Sequence, residues 1–299
     1  MDVQQTIKRQ ISCAGIGLHS GQKVTLTLKP AAADTGIRFR RTDLGIEIPA
    51  SVDHVSTVQY ATVLGRDGAT VETVEHLLAA LVANGIDNVI VELSQREVPI
   101  MDGSSAPFLF LLQEAGVKRL SASRKYLKVL KPLEISSGDK RIAVFPSEHF
   151  KVSYTISFDH PLLKHQTRTE RITEQSFGEH IASARTFGFL KEVEWLRQRG
   201  LALGGSLENA IVIGDTGPLN PLRFEDECVR HKILDAVGDL ALIGHALVGH
   251  VVAHRAGHAL HTELGRAILA DREAWCLVET PELAPDADFA AAPATAAAH

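Results

Sequence analysis

TVEHLLAALVANG (Thr73–Gly85) is the stretch on which the fold of the first half turns. It reads as a helix from roughly Thr73 to Ala83. Thr73 or Glu72 can start it, and Gly85 suits its C-terminal end, where a left-handed residue closes the last turn. Before it, KVTLTLKP (Lys23–Pro30) and GIRFRRTD (Gly36–Asp43) alternate as strands do and bracket the turn-forming AAADTG. After it come a buried-looking strand, NVIVELS, the turn VPIMDGSSAP, and a second helix from about Pro107 to Glu114. The polar SASRK (Ser121–Lys125) is the candidate linker to the second half.

The second half begins again with strands: YLKVLKPLEI, KRIAVFPS and FKVSYTISF. A helical region covers about Phe177 to Ser183, and LKEVEWLRQRG is a short helix ended by Gly200. A strongly periodic helix runs from about Glu225 to Ile243. The strand-like GHVVAH separates it from a last helix, Ala259 to Leu269. Strands followed by helices, twice over, predict an α+β fold of sheet-on-helix sandwiches rather than an alternating parallel sheet. The expected division is residues 1–122, residues 123–282, and an Ala/Pro-rich disordered tail over 283–299.

Bulk properties narrow the function classes. With 299 residues the chain can build one large domain or two ordinary ones. Hydrophobic residues at 45% and charged residues at 22% argue against disorder, and a net charge of -5 offers no basic footprint for nucleic acid. No apolar core follows MDVQQTIKRQ, so no secretory signal is read there. The most apolar stretch, Leu240–Leu260, is broken by His245, His250, His254, Arg255 and His258, too polar for a membrane span. Cys13, Cys228 and Cys276 are few, odd in number and without metal-ligand spacing, which fits a reducing compartment. The expectation is a soluble, cytoplasmic, monomeric protein without a transmembrane segment or a nucleic-acid partner.

The chemistry concentrates in RHKILDAVGD (Arg230–Asp239). On a helix, His231, Asp235 and Asp239 stand at i, i+4 and i+8 on one face. An imidazole nitrogen and a carboxylate oxygen at i, i+4 can reach one metal. The same spacing also serves a surface ion pair, although Ile233, Leu234, Ala236, Val237 and Leu240 leave little of this helix solvated. His76, beside Glu75 on the first helix, reads either as a satisfied core histidine or as a third ligand with Glu75 as general base. Among the late histidines, His245, His250, His254, His258 and His261, only His258 looks placed for catalysis, in the loop AGHALH. GIGLHSG (Gly15–Gly21) looks like a phosphate loop but lacks the Lys-Ser/Thr ending.

Taken in order, VETVEHLLAAL, VPIMDGSSAPF, SARTFGF, LALGGSLENAIV, FEDECVRHKILDAVGDL and AGHALH closely resemble the UDP-3-O-acyl-N-acetylglucosamine deacetylase family. The resemblance runs over roughly residues 5 to 282. It implies two domains, each a β-sheet layered on helices, with the active site between them. It implies Zn2+ held by His76, His231 and Asp235, with Glu75 as general base and His258 as general acid or cationic stabiliser. Asp239 would orient His258, Thr186 would bind the acetyl carbonyl, and Lys232 would help hold the substrate phosphates. Residues 187–213 would form the acyl passage. The implied reaction removes the N-acetyl group of an acylated UDP-N-acetylglucosamine, the committed step of lipid A biosynthesis. His261-Thr262 stand where the family commonly shows two asparagines, and Val58, Gln59 and Tyr60 depart from a pattern richer in Ser, Thr and Met. An amidohydrolase for another acylated amine and a non-catalytic lipid- or sugar-nucleotide-binding protein are the rival readings.

Overall fold

Period-two alternation in KVTLTLKP becomes the strand Lys23–Pro30 in the computed structural model of the chain, which describes residues 2–279. Val24, Leu26 and Leu28 turn into the core while Lys23 and Thr25 face out. This strand pairs with Ile11–Ile16 on one side and Val89–Leu93 on the other, and Ile37–Arg41 and Ile46–Pro49 complete a five-stranded sheet. The strands flanking the AAADTG turn therefore do not pair with each other. Val89–Leu93 lies between them, antiparallel to the first and parallel to the second, and buries Val89, Val91 and Leu93.

Helix α1 spans Glu75–Ala83 and α2 spans Ala106–Ala115. The first starts two residues later than its sequence suggests. Thr73 sits at φ 58, outside the helical region, and its hydroxyl donates to Glu97 rather than capping a helix. Only Val82 in α1 escapes burial. A helix apolar on nearly every side belongs inside a protein, so Glu75 and His76 are carried inside with it.

The polar SASRK is not a free linker. Ser121–Ser123 end the strand Val117–Ser123, which pairs antiparallel with Val3–Ile7. Arg124 then forms an ion pair with Asp87 at 2.9 Å. Pairing with the start of the chain, a partner no local reading reveals, turns polar residues into a sheet edge.

Beyond it stands a seven-stranded sheet. Leu133–Ser137, Lys140–Phe145, Ala246–His254, Tyr126–Val129 and Trp275–Val278 lie side by side in that order, and Phe150–Ile156 branches from Ala246–His254 with Gln166–Arg171 paired beyond it. The helices of this half are α3 (Glu174–Ser176), α4 (Leu190–Gln198), α5 (Glu227–Leu240) and α6 (His258–Ala270). The region expected to be helical from Phe177 starts a turn earlier. Thr173 caps α3 by accepting from the Ser176 N–H, and Phe177–Ile181 continues as a π-helix. α5 and α6 pack on the second sheet, and α1 packs along α5.

The chain is thus an α+β protein with two sheet-and-helix layers that meet through α1 and α5. Gly238 makes that meeting possible: a Cβ there would overlap the Glu75 carbonyl oxygen. Among the described residues, no helix is long and apolar enough to cross a membrane. The expected tail, 283–299, lies outside the described residues.

Candidate active site

The first turn of α1 and three successive turns of α5 face each other. His231 Nε2 lies 3.2 Å from Asp235 Oδ1, and His76 Nε2 lies 3.6 Å from the same oxygen. One donor atom from each of these three residues falls within 4.8 Å of the others. His231 Nδ1 is 3.0 Å from the Ala184 carbonyl, so it carries the hydrogen and leaves Nε2 with its lone pair turned to the cluster. Burial holds the His231 imidazole neutral, its pKa pushed down to about 3 even with the Asp235 carboxylate beside it. Burial also opposes the Asp235 charge, but the Lys232 ammonium beside it keeps that carboxyl below its usual range.

These residues fit zinc on a specific observation. Asp235 Oδ2 accepts from Lys232 Nζ at 2.7 Å, but Oδ1, equally buried, has no hydrogen-bond partner. A buried ionised oxygen without a partner is costly unless a cation meets it. Two imidazole nitrogens and one carboxylate oxygen make the set of three protein ligands that a catalytic zinc takes while keeping a fourth position open. The three donors are the residues that the resemblance to the deacetylase family implies for zinc, and the structure brings them together.

One turn further along α5, Asp239 belongs to a second cluster with His258 and His261. Here the polar atoms are satisfied. Asp239 Oδ2 accepts from His258 Nδ1 at 2.7 Å and from His261 Nδ1 at 2.8 Å, and Oδ1 accepts from the Thr62 hydroxyl at 2.5 Å. His258 is not in a loop: it is the first residue of α6. Burial pulls the His258 pKa down, but the Asp239 carboxylate outweighs it and raises the value to about 9. Asp239 itself is held down to about 2, against its own burial, by His258 and His261.

Glu75 is buried, and its Oε2 accepts from the Thr62 N–H at 3.2 Å. Burial raises its pKa, with the charges of His258 and His76 opposing. A cavity of about 300 Å3 brings Glu75, His76, Thr186, His231, Lys232, Asp235 and His258 to one wall system. Asp239 stands behind His258 rather than on that wall. A larger cavity of about 890 Å3 adjoins it, lined by α4 and Ala202–Val212 and sharing Leu18, His19, Tyr60, Thr186, Phe187, Gly188 and Glu192 with the first. Thr186 is held at the junction by its N–H on the Gly103 carbonyl and its carbonyl on the Ile211 N–H. The Lys232 ammonium points to Asp235 and lies 5.6 Å from the Phe187 ring centre.

GIGLHSG does bind an anion, an internal one. The His19 and Ser20 N–H groups each donate to the buried Glu97 carboxylate at 2.8 Å. Three participants escape a reading of the sequence. Thr62 bridges Glu75 to Asp239 from a loop with no motif. Tyr154 reaches His261 from a sheet strand. His261 stands one helical turn after His258, a spacing that signals a shared face once both are known to be helical.

A family model described as UDP-3-O-acyl N-acetylglycosamine deacetylase matches residues 4–270. The UDP-3-O-acyl-N-acetylglucosamine deacetylase of Syntrophotalea carbinolica is 50% identical over 288 residues, 95% of this chain and 93% of that protein. The protein of the same description from Pseudomonas entomophila is 50% identical over 281 residues, 92% of this chain and 93% of its own.

Proposed function

The chain belongs to the UDP-3-O-acyl N-acetylglycosamine deacetylase family, and on that basis we propose that it hydrolyses the N-acetyl group of UDP-3-O-(3-hydroxyacyl)-N-acetylglucosamine. The products are acetate and UDP-3-O-(3-hydroxyacyl)-glucosamine, as the committed step of lipid A biosynthesis in the cytoplasm. The observation that carries this reading is the partnerless Asp235 Oδ1 between the His76 and His231 imidazoles, in a cavity that also holds Glu75, His258 and Thr186. The proposed domains are residues 1–122, which supply Glu75 and His76, and residues 123–282, which supply the rest.

His76, His231 and Asp235 would hold the zinc, which when bound would supply Lewis-acid assistance to the acetyl carbonyl and to the attacking water. Glu75 accepts the proton of the attacking water, and its raised pKa brings it nearer the working pH, where a general base is most effective. His258 donates from Nε2, because Nδ1 is engaged with Asp239. Its cation and the Thr186 hydroxyl stabilise the tetrahedral oxyanion, and a protonated side chain delivers a proton to the departing amine. Asp239 orients His258. Lys232 offsets the Asp235 charge and helps hold the substrate phosphates at the cavity edge.

The neighbouring 890 Å3 cavity, lined by Leu190, Trp195, Leu196, Leu207 and Ile211, suits an acyl chain. Each enclosed methylene adds about 0.8 kcal/mol. Mass spectrometry of the acylated UDP-sugar after incubation with the protein tests the reaction, and loss of one acetyl group is the expected result. An unchanged substrate would falsify the proposed activity. Equal kcat/KM on acylated and non-acylated UDP-N-acetylglucosamine would point instead to another acylated amine as the substrate.

A further inference from the structure

His261 stands beside the proposed proton donor without touching the cavity, and no step of the proposed deacetylation uses it. It is fully buried, as are Asp239 and Tyr154 to within 1% exposure. A buried imidazole needs a partner for each nitrogen, and each His261 nitrogen faces one. Nδ1 faces Asp239 Oδ2 at 2.8 Å, and Nε2 faces the Tyr154 hydroxyl oxygen at 3.1 Å. Asp239 is ionised and can only accept, so Nδ1 of His261 carries the hydrogen on that bond.

The oxygen that receives this bond is the same oxygen that holds His258 Nδ1. Thr62 occupies the other oxygen, so the carboxylate is gripped from three sides and cannot rotate. The single Tyr154 hydroxyl hydrogen lies between two acceptors, the Ala256 carbonyl at 2.7 Å and His261 Nε2 at 3.1 Å, and the Arg255 N–H donates to the Thr155 carbonyl. The strand Phe150–Ile156 therefore anchors both the turn entering α6 and the imidazole behind Asp239.

We propose that His261 is a positioning residue for the deacetylation: with Tyr154 it clamps the Asp239 carboxylate, and through it fixes the orientation of His258. The proposal rests on His258 being the proton donor of the reaction. A shared oxygen is also a weaker acceptor for each donor, so His261 draws part of the Asp239 charge away from His258. The ionisable groups that act most on His258 are Asp239 and Asp235 on α5 and Glu75 on α1, and His19, His76, His231 and Lys232 share its cavity. None of these contacts His261 except Asp239.

The test uses full-length zinc-loaded protein and the acylated UDP-sugar, with zinc content, melting temperature, kcat, KM and pH dependence measured for each variant. His261→Leu removes one donor from Asp239. It should lower kcat by roughly ten-fold, the scale of one lost hydrogen bond to a charged group, with KM and zinc content unchanged. Its basic pH limb should move upward, because Asp239 then serves His258 alone. His261→Asn, which keeps an N–H donor on a shorter arm, should recover most of kcat and return the limb toward its original place. Tyr154→Phe should shift both quantities in the same direction as His261→Leu, but less.

Normal kcat and an unmoved limb in a folded His261→Leu protein would overturn the proposal. If that variant does not fold, an unmoved limb and full kcat in Tyr154→Phe would overturn it equally. Lower melting temperature with no change in kcat or limb would assign His261 to stability alone. His258→Gln serves as the control: a basic limb surviving there would remove the premise about His258, whereas a limb lost there but insensitive to His261 would remove only the clamp.

Discussion

Two clusters of the same composition, one carboxylate and two imidazoles, stand one turn apart on α5 and do opposite things. Around Asp235 two imidazole Nε2 atoms converge, and one carboxylate oxygen is left without a hydrogen bond. Around Asp239 each imidazole turns an N–H toward the carboxylate, and every oxygen is taken. The first arrangement needs an external cation. The second needs only a proton, which it keeps on His258. What separates a metal site from a proton site here is the direction of the histidine hydrogens, and that is set by what stands behind each ring. The Ala184 carbonyl takes the Nδ1 hydrogen of His231, whereas Asp239 takes those of His258 and His261.

Removing the metal should separate the two clusters most severely. Chelation, or His76→Ala, His231→Ala or Asp235→Ala, should cost at least about a thousand-fold in kcat/KM, since Lewis-acid assistance contributes several kcal/mol. Zinc content by mass spectrometry should fall from about one per chain toward zero. Asp239→Ala should leave zinc in place. Equal zinc loss from variants of both clusters would erase the distinction.

Glu75→Gln comes next. Turnover should fall by roughly 10²-fold or more while zinc stays bound, because Glu75 is the proposed base and not a proposed ligand. Near-normal turnover would assign the base elsewhere.

A smaller effect isolates the proton cluster. In the proposed mechanism His258 acts as its cation, so activity is present below its folded pKa and is lost as pH rises through it. Asp239 lifts that pKa from the ordinary histidine value of 6.5 to about 9, and the charge of bound zinc pulls the limb below that ceiling. In kcat/KM against pH, Asp239→Asn should move the basic limb down and His258→Gln should abolish it. An unchanged limb in His258→Gln would mean that a different group, Lys232 for one, controls it.

Thr62→Val should be the mildest. It keeps the backbone N–H that serves Glu75 but removes the hydroxyl that holds Asp239 Oδ1. The loss of one hydrogen bond to a charge should lower kcat/KM about ten-fold without changing zinc content. A larger loss, matching Glu75→Gln, would show that Thr62 acts mainly through Glu75.

Local sequence was enough to settle which residue types share a helical face. His231, Asp235 and Asp239 recur every four residues, and helical rise alone puts them in line. It was also enough to bury α1, because its apolar residues leave no face for water. It could not say that Ser121–Ser123 would be a strand, since their partners, Val3–Ile7, come from the other end of the first half. Nor could it say that His258 opens a helix, or that His261 shares its carboxylate. Those points were left to tertiary packing, as was the meeting of α1 with α5, where Gly238 lets the backbone of Glu75 approach. The physical reason is range. Helix and strand periodicity fix geometry over a few residues, whereas hydrogen-bond satisfaction inside the core depends on groups brought together only when the two sheet-and-helix layers bury their apolar faces.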